Sequence, residues 1–153
     1  MITTKKGDSG ETDCGGNRVN KDNILVETIG EIDEFQAVLE LIGGDKEIIK
    51  DLGVLMGELG SSNLNIKKTE KFMIYDLRIR QFEEEIKISK EKLSKFIIFK
   101  TKKARELNWA RTVCRRVERR VVSLSKTQKI DKDILKYFNR LSDYLFMKAI
   151  KKN

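Results

Sequence analysis

The chain has 153 residues, 32 of them basic and 24 acidic, a formal charge of +8, and neither histidine nor proline. At this length one domain is expected, able to bury roughly 70% of the surface that its unfolded chain exposes. With no imidazole there is no histidine base, metal ligand or triad member, which excludes most hydrolase mechanisms and leaves positioning, charge neutralisation, or a carboxylate, lysine or thiol.

Residues 1–23 show no sustained periodicity and hold four of the ten glycines, which reads as a glycine-rich loop or tail ahead of a helical body at 24–153. Within it, Thr4-Lys5-Lys6-Gly7-Asp8-Ser9-Gly10-Glu11-Thr12 spaces lysines and hydroxyls between glycines. Glycine permits positive φ, so successive N–H groups can turn inward around an anion while Lys5, Lys6 and Lys21 supply charge. It lacks the GxxxxGK[ST] spacing of a Walker loop.

The first helix starts near Asp22, with Ile24, Ile29, Ile32, Phe35, Val38, Leu39 and Ile42 at three- and four-residue spacing, and Gly43-Gly44-Asp45 stops it. A second runs over about 46–59 and ends at Gly60-Ser61-Ser62-Asn63. Thr69 is placed to cap a third, carrying Phe72, Ile79, Phe82, Ile86 and Leu93. The fourth spans about 101–125. Asp131 is placed to cap a fifth, with Ile134, Leu135, Phe138, Leu141, Leu145, Phe146 and Ile150 on its buried side. No segment shows a convincing β alternation. The pattern predicts an all-α, five-helix up-and-down bundle.

Charge concentrates in the fourth helix: residues 100–120 hold nine basic residues against Glu106 and Glu118. At about 100° per residue, Arg111, Arg115 and Glu118 share one stripe, and Arg119 lies one step round. Ala110, Val113, Val117, Val121 and Leu124 form an adjacent apolar stripe. Guanidinium groups bordering a packed core are suited to gripping a phosphate or carboxylate through two parallel hydrogen bonds. Asp33 and Glu34 on the first helix and Asn139 on the fifth are the polar residues expected opposite them. Carboxylates facing arginines inside a bundle usually mean structural ion pairs.

Cys14 and Cys114 stand 100 residues apart without a CxxC spacing, which suits a reduced, cytoplasmic setting. No apolar run approaches the 18 or so residues that span a bilayer, and no signal-peptide pattern opens the chain, so no membrane partner is expected.

In order along the chain, TTKKGDSGET, GGNRVNKDN, GEIDEF, ARTVCRRVERRVV and FNRLSDYLF closely resemble segments of the PduO-type ATP:cob(I)alamin adenosyltransferases. The resemblance runs from about Thr3 to Lys148. It implies a five-helix bundle, an active homotrimer with ATP at each subunit interface, and transfer of the 5′-deoxyadenosyl group of ATP to cob(I)alamin, giving adenosylcobalamin and triphosphate. The nucleotide contacts it implies are Thr4, Lys5, Lys6, Gly7, Thr12, Lys21, Arg115, Arg116, Glu118, Arg119 and Asn139, with Mg²⁺ on the triphosphate. It also implies a salt bridge between Asp33 and Arg111 across the subunit boundary. Phe96 matches the aromatic that helps displace the lower axial ligand of cobalamin. A flavin reductase and a B12-dependent enzyme are the implied protein partners.

The chain departs from the family pattern at three places: Lys6 stands where a threonine is usual, the loop near Cys14 is one residue short, and Phe99-Lys100-Thr101 replaces Pro-Gly-Gly. The chemistry agrees with the residues present. Cobalt(I) is itself a strong nucleophile, so the protein has to align the carbon and neutralise the leaving group rather than supply a base. Two other readings use the same residues. One is a non-catalytic trimeric ATP sensor. The other is a nucleic-acid binder, which would need exposed aromatics among the basic residues, where Trp109 is the sole candidate.

Overall fold

The computed structural model describes residues 5, 7–61, 68–88 and 96–153, and within 68–88 the side chains from Tyr75 onward. Five helices follow a short hairpin: β1 (Glu11–Cys14), β2 (Asn17–Asn20), α1 (Ile24–Leu41), α2 (Lys46–Leu59), α3 (Lys68–Ile88), α4 (Lys102–Leu124) and α5 (Lys132–Lys151). α4 packs between α1 and α5, α2 lies on α1, and α3 lies on α5.

The hairpin corrects the reading of residues 1–23 as loop or tail. β1 and β2 pair antiparallel, with Cys14 opposite Asn17. Gly15 and Gly16 between them both have positive φ, 61° and 75°. Two consecutive left-handed residues make the tight turn whose twist suits a hairpin, and glycine adopts them without strain. The Gly15 N–H donates to the Gly60 carbonyl at the end of α2, 3.1 Å away, and so ties the hairpin tip to the bundle.

Helix ends follow the capping chemistry. The side chains of Asn23, Asp45, Thr101 and Asp131 accept from backbone N–H groups in the first turns of α1, α2, α4 and α5. The third helix is described from Lys68 on, so Thr69 lies within it rather than at the cap; Leu93 lies outside the described residues. At the end of α1 the Gly44 N–H reaches the Leu39 carbonyl (2.7 Å) and the Gly43 N–H reaches that of Glu40 (3.1 Å), with Gly43 at φ 60°. This pair of bonds closes the last turn on a left-handed residue. A Cβ on Gly44 would fall 2.9 Å from the Leu39 carbonyl oxygen, so this turn also requires glycine for space. The Lys103 ammonium donates to the remaining Ile42 carbonyl.

The core draws on every helix and includes Ile32, Phe35, Leu52, Leu55, Ile79, Phe82, Val117, Leu124, Phe138 and Leu141, all buried. Tyr75, Tyr137 and Tyr144 join it, which the apolar periodicity did not register because each carries a hydroxyl. Tyr137 stacks edge-on against Tyr75 (5.5 Å) and Phe138 (5.6 Å). Its hydroxyl donates to Asp51 at 3.3 Å, and the Arg78 Nε donates to the same carboxylate oxygen at 2.8 Å. α2, α3 and α5 thus share one buried ion pair.

Burial pushes the Asp51 carboxyl above the usual aspartate range, against the downward pull of Arg78 and Tyr137. A raised folded value means that the folded state holds this proton more tightly. The contribution to stability is therefore full below the ordinary aspartate value and fades as pH rises through the raised one. Replacing Arg78 with methionine should cost about 3 kcal/mol, the low end for orphaning a buried charge, because Arg78 keeps some exposure. Chemical unfolding measures that loss. The pH profiles of wild type and Asp51→Asn should differ in the acid range by the slope just described; parallel profiles would contradict it.

Candidate active site

α4 buries Ala104, Leu107, Ala110, Val113, Cys114, Val117, Val121 and Leu124, the apolar stripe expected from spacing, and this fixes where its arginines point. On the α1 side Arg116 bridges Glu31 (2.5 Å) and Glu34. One turn on, Arg120 reaches Glu27 at 2.8 Å. Glu27, Glu31 and Glu34 on α1 thus form an ion-pair ladder with Arg116 and Arg120 on α4. The expected partner of the acidic group was Arg111 or Arg115; within the chain Glu34 instead takes Arg116. The i, i+4 spacing of Arg116 and Arg120 against Glu27 and Glu31 was the available signal.

On the other side α4 faces α5. The Asn139 Nδ2 donates to Glu118 at 3.0 Å, and its Oδ1 accepts from Arg140 at 2.6 Å. Arg140 in turn binds Glu83 of α3 at 2.9 Å, and this bond holds the Glu83 carboxyl below the usual range. Glu118 and Asn139, both expected in the site, therefore sit in one network that extends to Glu83. Beside them Arg115 and Arg119 are exposed, and neither guanidinium has a carboxylate partner among the described residues. Arg119 donates to the Arg115 carbonyl at 3.0 Å, which lines the two side chains along one edge.

Arg111 is half-buried. Its Nε donates to Asn108 at 2.9 Å, and its guanidinium lies over the Phe146 ring, 5.3 Å from the centroid. Burial, then the positive charge of Arg115, lower its pKa. Asp33 is exposed on α1 and shares no hydrogen bond or ion pair with Arg111 within the chain. Burial drives the Cys114 thiol well above its ordinary value, and its Sγ donates to the Phe138 carbonyl at 3.5 Å. Cys114 is therefore a core residue, not a nucleophile.

The hairpin brings together a second group. The Lys21 Nζ donates to the Gly7 carbonyl at 2.8 Å, and the Lys21 N–H to that of Gly10 at 2.9 Å. Lys5 is exposed and has φ 57°, a left-handed conformation rare for a side-chain-bearing residue, next to a series of turns. Thr12 lies in β1. Thr4 and Lys6 lie outside the described residues. No hydrogen bond or ion pair among the described residues joins this group to Arg115, Glu118, Arg119 and Asn139. Phe96 projects into solvent, 98% exposed, just ahead of α4.

Residues 2–152 match the family model of cobalamin adenosyltransferase. The chain belongs to that family. It is 36% identical over 166 residues to the corrinoid adenosyltransferase of Bacillus subtilis (strain 168), a match covering 97% of this chain and 84% of the relative. The corrinoid adenosyltransferase of Citrobacter freundii is 32% identical over 163 residues, covering 97% of this chain and 92% of the relative. Among solved structures, a variant PduO-type ATP:co(I)rrinoid adenosyltransferase from Lactobacillus reuteri complexed with ATP superposes with a TM-score of 0.84 at 28% identity, covering 99% of this chain and 94% of the other. A second variant from the same organism, complexed with cobalamin and ATP, gives a TM-score of 0.76 at 26% identity, covering 97% and 89%. As in sequence, the cobalamin adenosyltransferase fold extends over nearly the whole chain.

Proposed function

We propose that this chain transfers the 5′-deoxyadenosyl group of ATP to cob(I)alamin, releasing triphosphate, with the nucleotide held between the N-terminal hairpin segment and the α4–α5 edge. The observation that carries the site is the pair of exposed guanidinium groups, Arg115 and Arg119, without carboxylate partners among the described residues beside the Glu118–Asn139 hydrogen bond. Family membership carries the reaction.

Cobalt(I) forms the new bond to the 5′ carbon with its own electron pair while the C–O bond to triphosphate breaks, so no proton has to be moved. The protein holds the carbon in line with the metal and neutralises charge growing on the leaving group. Arg115 and Arg119 do this as bidentate donors. Lys5, Lys6 and Lys21 do it as point charges, Gly7 and Thr4 through backbone and hydroxyl, and Thr12 from β1. Glu118 and Asn139 orient the nucleoside end. Arg116 joins them once it leaves Glu31 and Glu34. Among the described residues no group of three or more His, Cys, Asp or Glu could hold a metal ion. Mg²⁺, as the resemblance implies, would ride on the triphosphate oxygens and supply further charge neutralisation there. Phe96 faces the corrinoid and works against its lower axial ligand.

Among the described residues no hydrogen bond or ion pair joins the hairpin group to the arginine group, and we infer, with the family resemblance, that a neighbouring subunit of a homotrimer completes the site. Sedimentation should show a trimer, and dilution below its dissociation constant should abolish activity; a fully active monomer would overturn this. We place the reaction in the cytoplasm; among the described residues no helix is long and apolar enough to cross a membrane. A flavin reductase would supply reduced corrinoid and a B12-dependent enzyme would take the product. The direct test is an anaerobic assay with ATP and reduced cobalamin, following the corrinoid spectrum. ATP-dependent conversion to adenosylcobalamin is expected. ATP binding without conversion would leave a sensor instead.

A further inference from the structure

The stretch Phe96-Ile97-Ile98-Phe99-Lys100 ahead of α4 belongs to no helix or strand and contains neither proline nor glycine. Backbone outside helices and sheets has N–H and C=O groups that need partners and φ/ψ freedom that must be restrained if the segment is to hold a fixed position. Here the restraint comes from the far end of α5. The Asn153 Oδ1 accepts from the Lys100 N–H at 2.6 Å, and its Nδ2 donates to the Ile98 carbonyl at 3.4 Å. The Thr101 hydroxyl donates to the Lys152 carbonyl at 2.5 Å while accepting from the Ala104 N–H at 3.1 Å. Arg105 from the first turn of α4 donates to the Phe99 carbonyl at 3.0 Å. The Phe99 ring meets Phe146 of α5 edge-on, 6.2 Å between centroids.

Four successive residues, 98–101, are thus tied by side chain or backbone to residues 152–153 and to Arg105, just behind an almost fully exposed Phe96. We propose that Asn153, with Lys152, is a positioning clamp for the corrinoid-facing segment, an inference that rests on the placement of Phe96 in the function proposed above. A one-residue amide bracket spanning the Lys100 N–H and the Ile98 carbonyl sets the direction in which the chain leaves α4 towards Phe96. The ring is then presented before the corrinoid arrives, so less ordering is left to the binding step. Asn153 does not touch the substrate and acts through Lys100 and Ile98.

The test compares wild type with Asn153→Ala, Asn153→Asp and Phe96→Ala. Hydrogen–deuterium exchange of the 96–104 peptide reads the clamp directly. Steady-state kinetics give kcat and the KM for each substrate. Electron paramagnetic resonance of bound cob(II)alamin with ATP gives the fraction that has lost its lower axial ligand. Asn153→Ala should speed exchange at Lys100 and lower both kcat and that fraction by about tenfold, a misplacement effect, with the KM for ATP within about twofold because the arginine edge is untouched. Asn153→Asp keeps the acceptor for Lys100 but loses the donor for the Ile98 carbonyl, so it should recover only part of the loss. Faster exchange with unchanged kcat and unchanged ligand loss would overturn the clamp, as would unchanged exchange. If Phe96→Ala impairs both readouts and Asn153→Ala does not, the clamp alone fails. If Phe96→Ala changes neither, the placement of Phe96 fails and the clamp with it.

Discussion

Replacing Arg115 with alanine is expected to lower kcat/KM for ATP by about 10- to 100-fold, the equivalent of about 1.5–3 kcal/mol for a charge-assisted contact. Thermal unfolding should barely change. Arg115 is exposed on α4 and has no carboxylate partner among the described residues, so its removal leaves no buried group orphaned. Arg115→Lys should recover little, since a lysine keeps the charge but loses the planar fork that binds two oxygens together. Arg116 is the contrasting case. It is tied to Glu31 and Glu34, so Arg116→Ala should loosen the α1–α4 contact as well as any nucleotide contact. Wild-type kinetics of Arg115→Ala at limiting ATP would remove Arg115 from the site.

The helices were legible because their signals are local. Gly43-Gly44-Asp45 ended one helix and capped the next, and the second helix lies at the expected 46–59. The valine stripe of α4 was legible too, because Val113, Val117 and Val121 repeat every fourth residue and are all buried. The hairpin was missed although Cys14-Gly15-Gly16-Asn17 contains a two-glycine turn signal. Its strands have four residues each, too short for alternation to stand out. The Asp51–Arg78–Tyr137 link was not legible at all. It joins residues up to 86 positions apart, and nothing in the spacing marks one aspartate of α2 as buried. The candidate site was read mainly from motif resemblance, and the residues that spacing alone identified were those bordering the α4 stripe. What spacing could not assign was which arginine pairs with α1, because Arg116 bridges Glu31 and Glu34 while its neighbour Arg115 is exposed.

Asp33 and Arg111 should behave as one coupled pair in the assembled protein. Arg111 is already half-desolvated: burial and the charge of Arg115 lower its pKa, and among the described residues its partners are the Asn108 amide and the Phe146 ring. No carboxylate among the described residues pairs with this guanidinium, and under the proposed trimer a neighbouring subunit would supply one. Asp33 stands exposed on α1, available to a neighbour rather than to its own α4. Once the interface closes, removing either partner leaves the other buried and unpaired, at a cost of about 3–5 kcal/mol. Asp33→Asn and Arg111→Met should therefore each shift the trimer towards dissociation in sedimentation, and the double variant should be little worse than either single one. Coupling of that size requires contact, since charges kept apart by water at physiological salt are largely screened beyond about 8 Å. Strictly additive losses would place the two residues apart, and the Asn108 hydrogen bond with the Phe146 stack would then account for the orientation of Arg111.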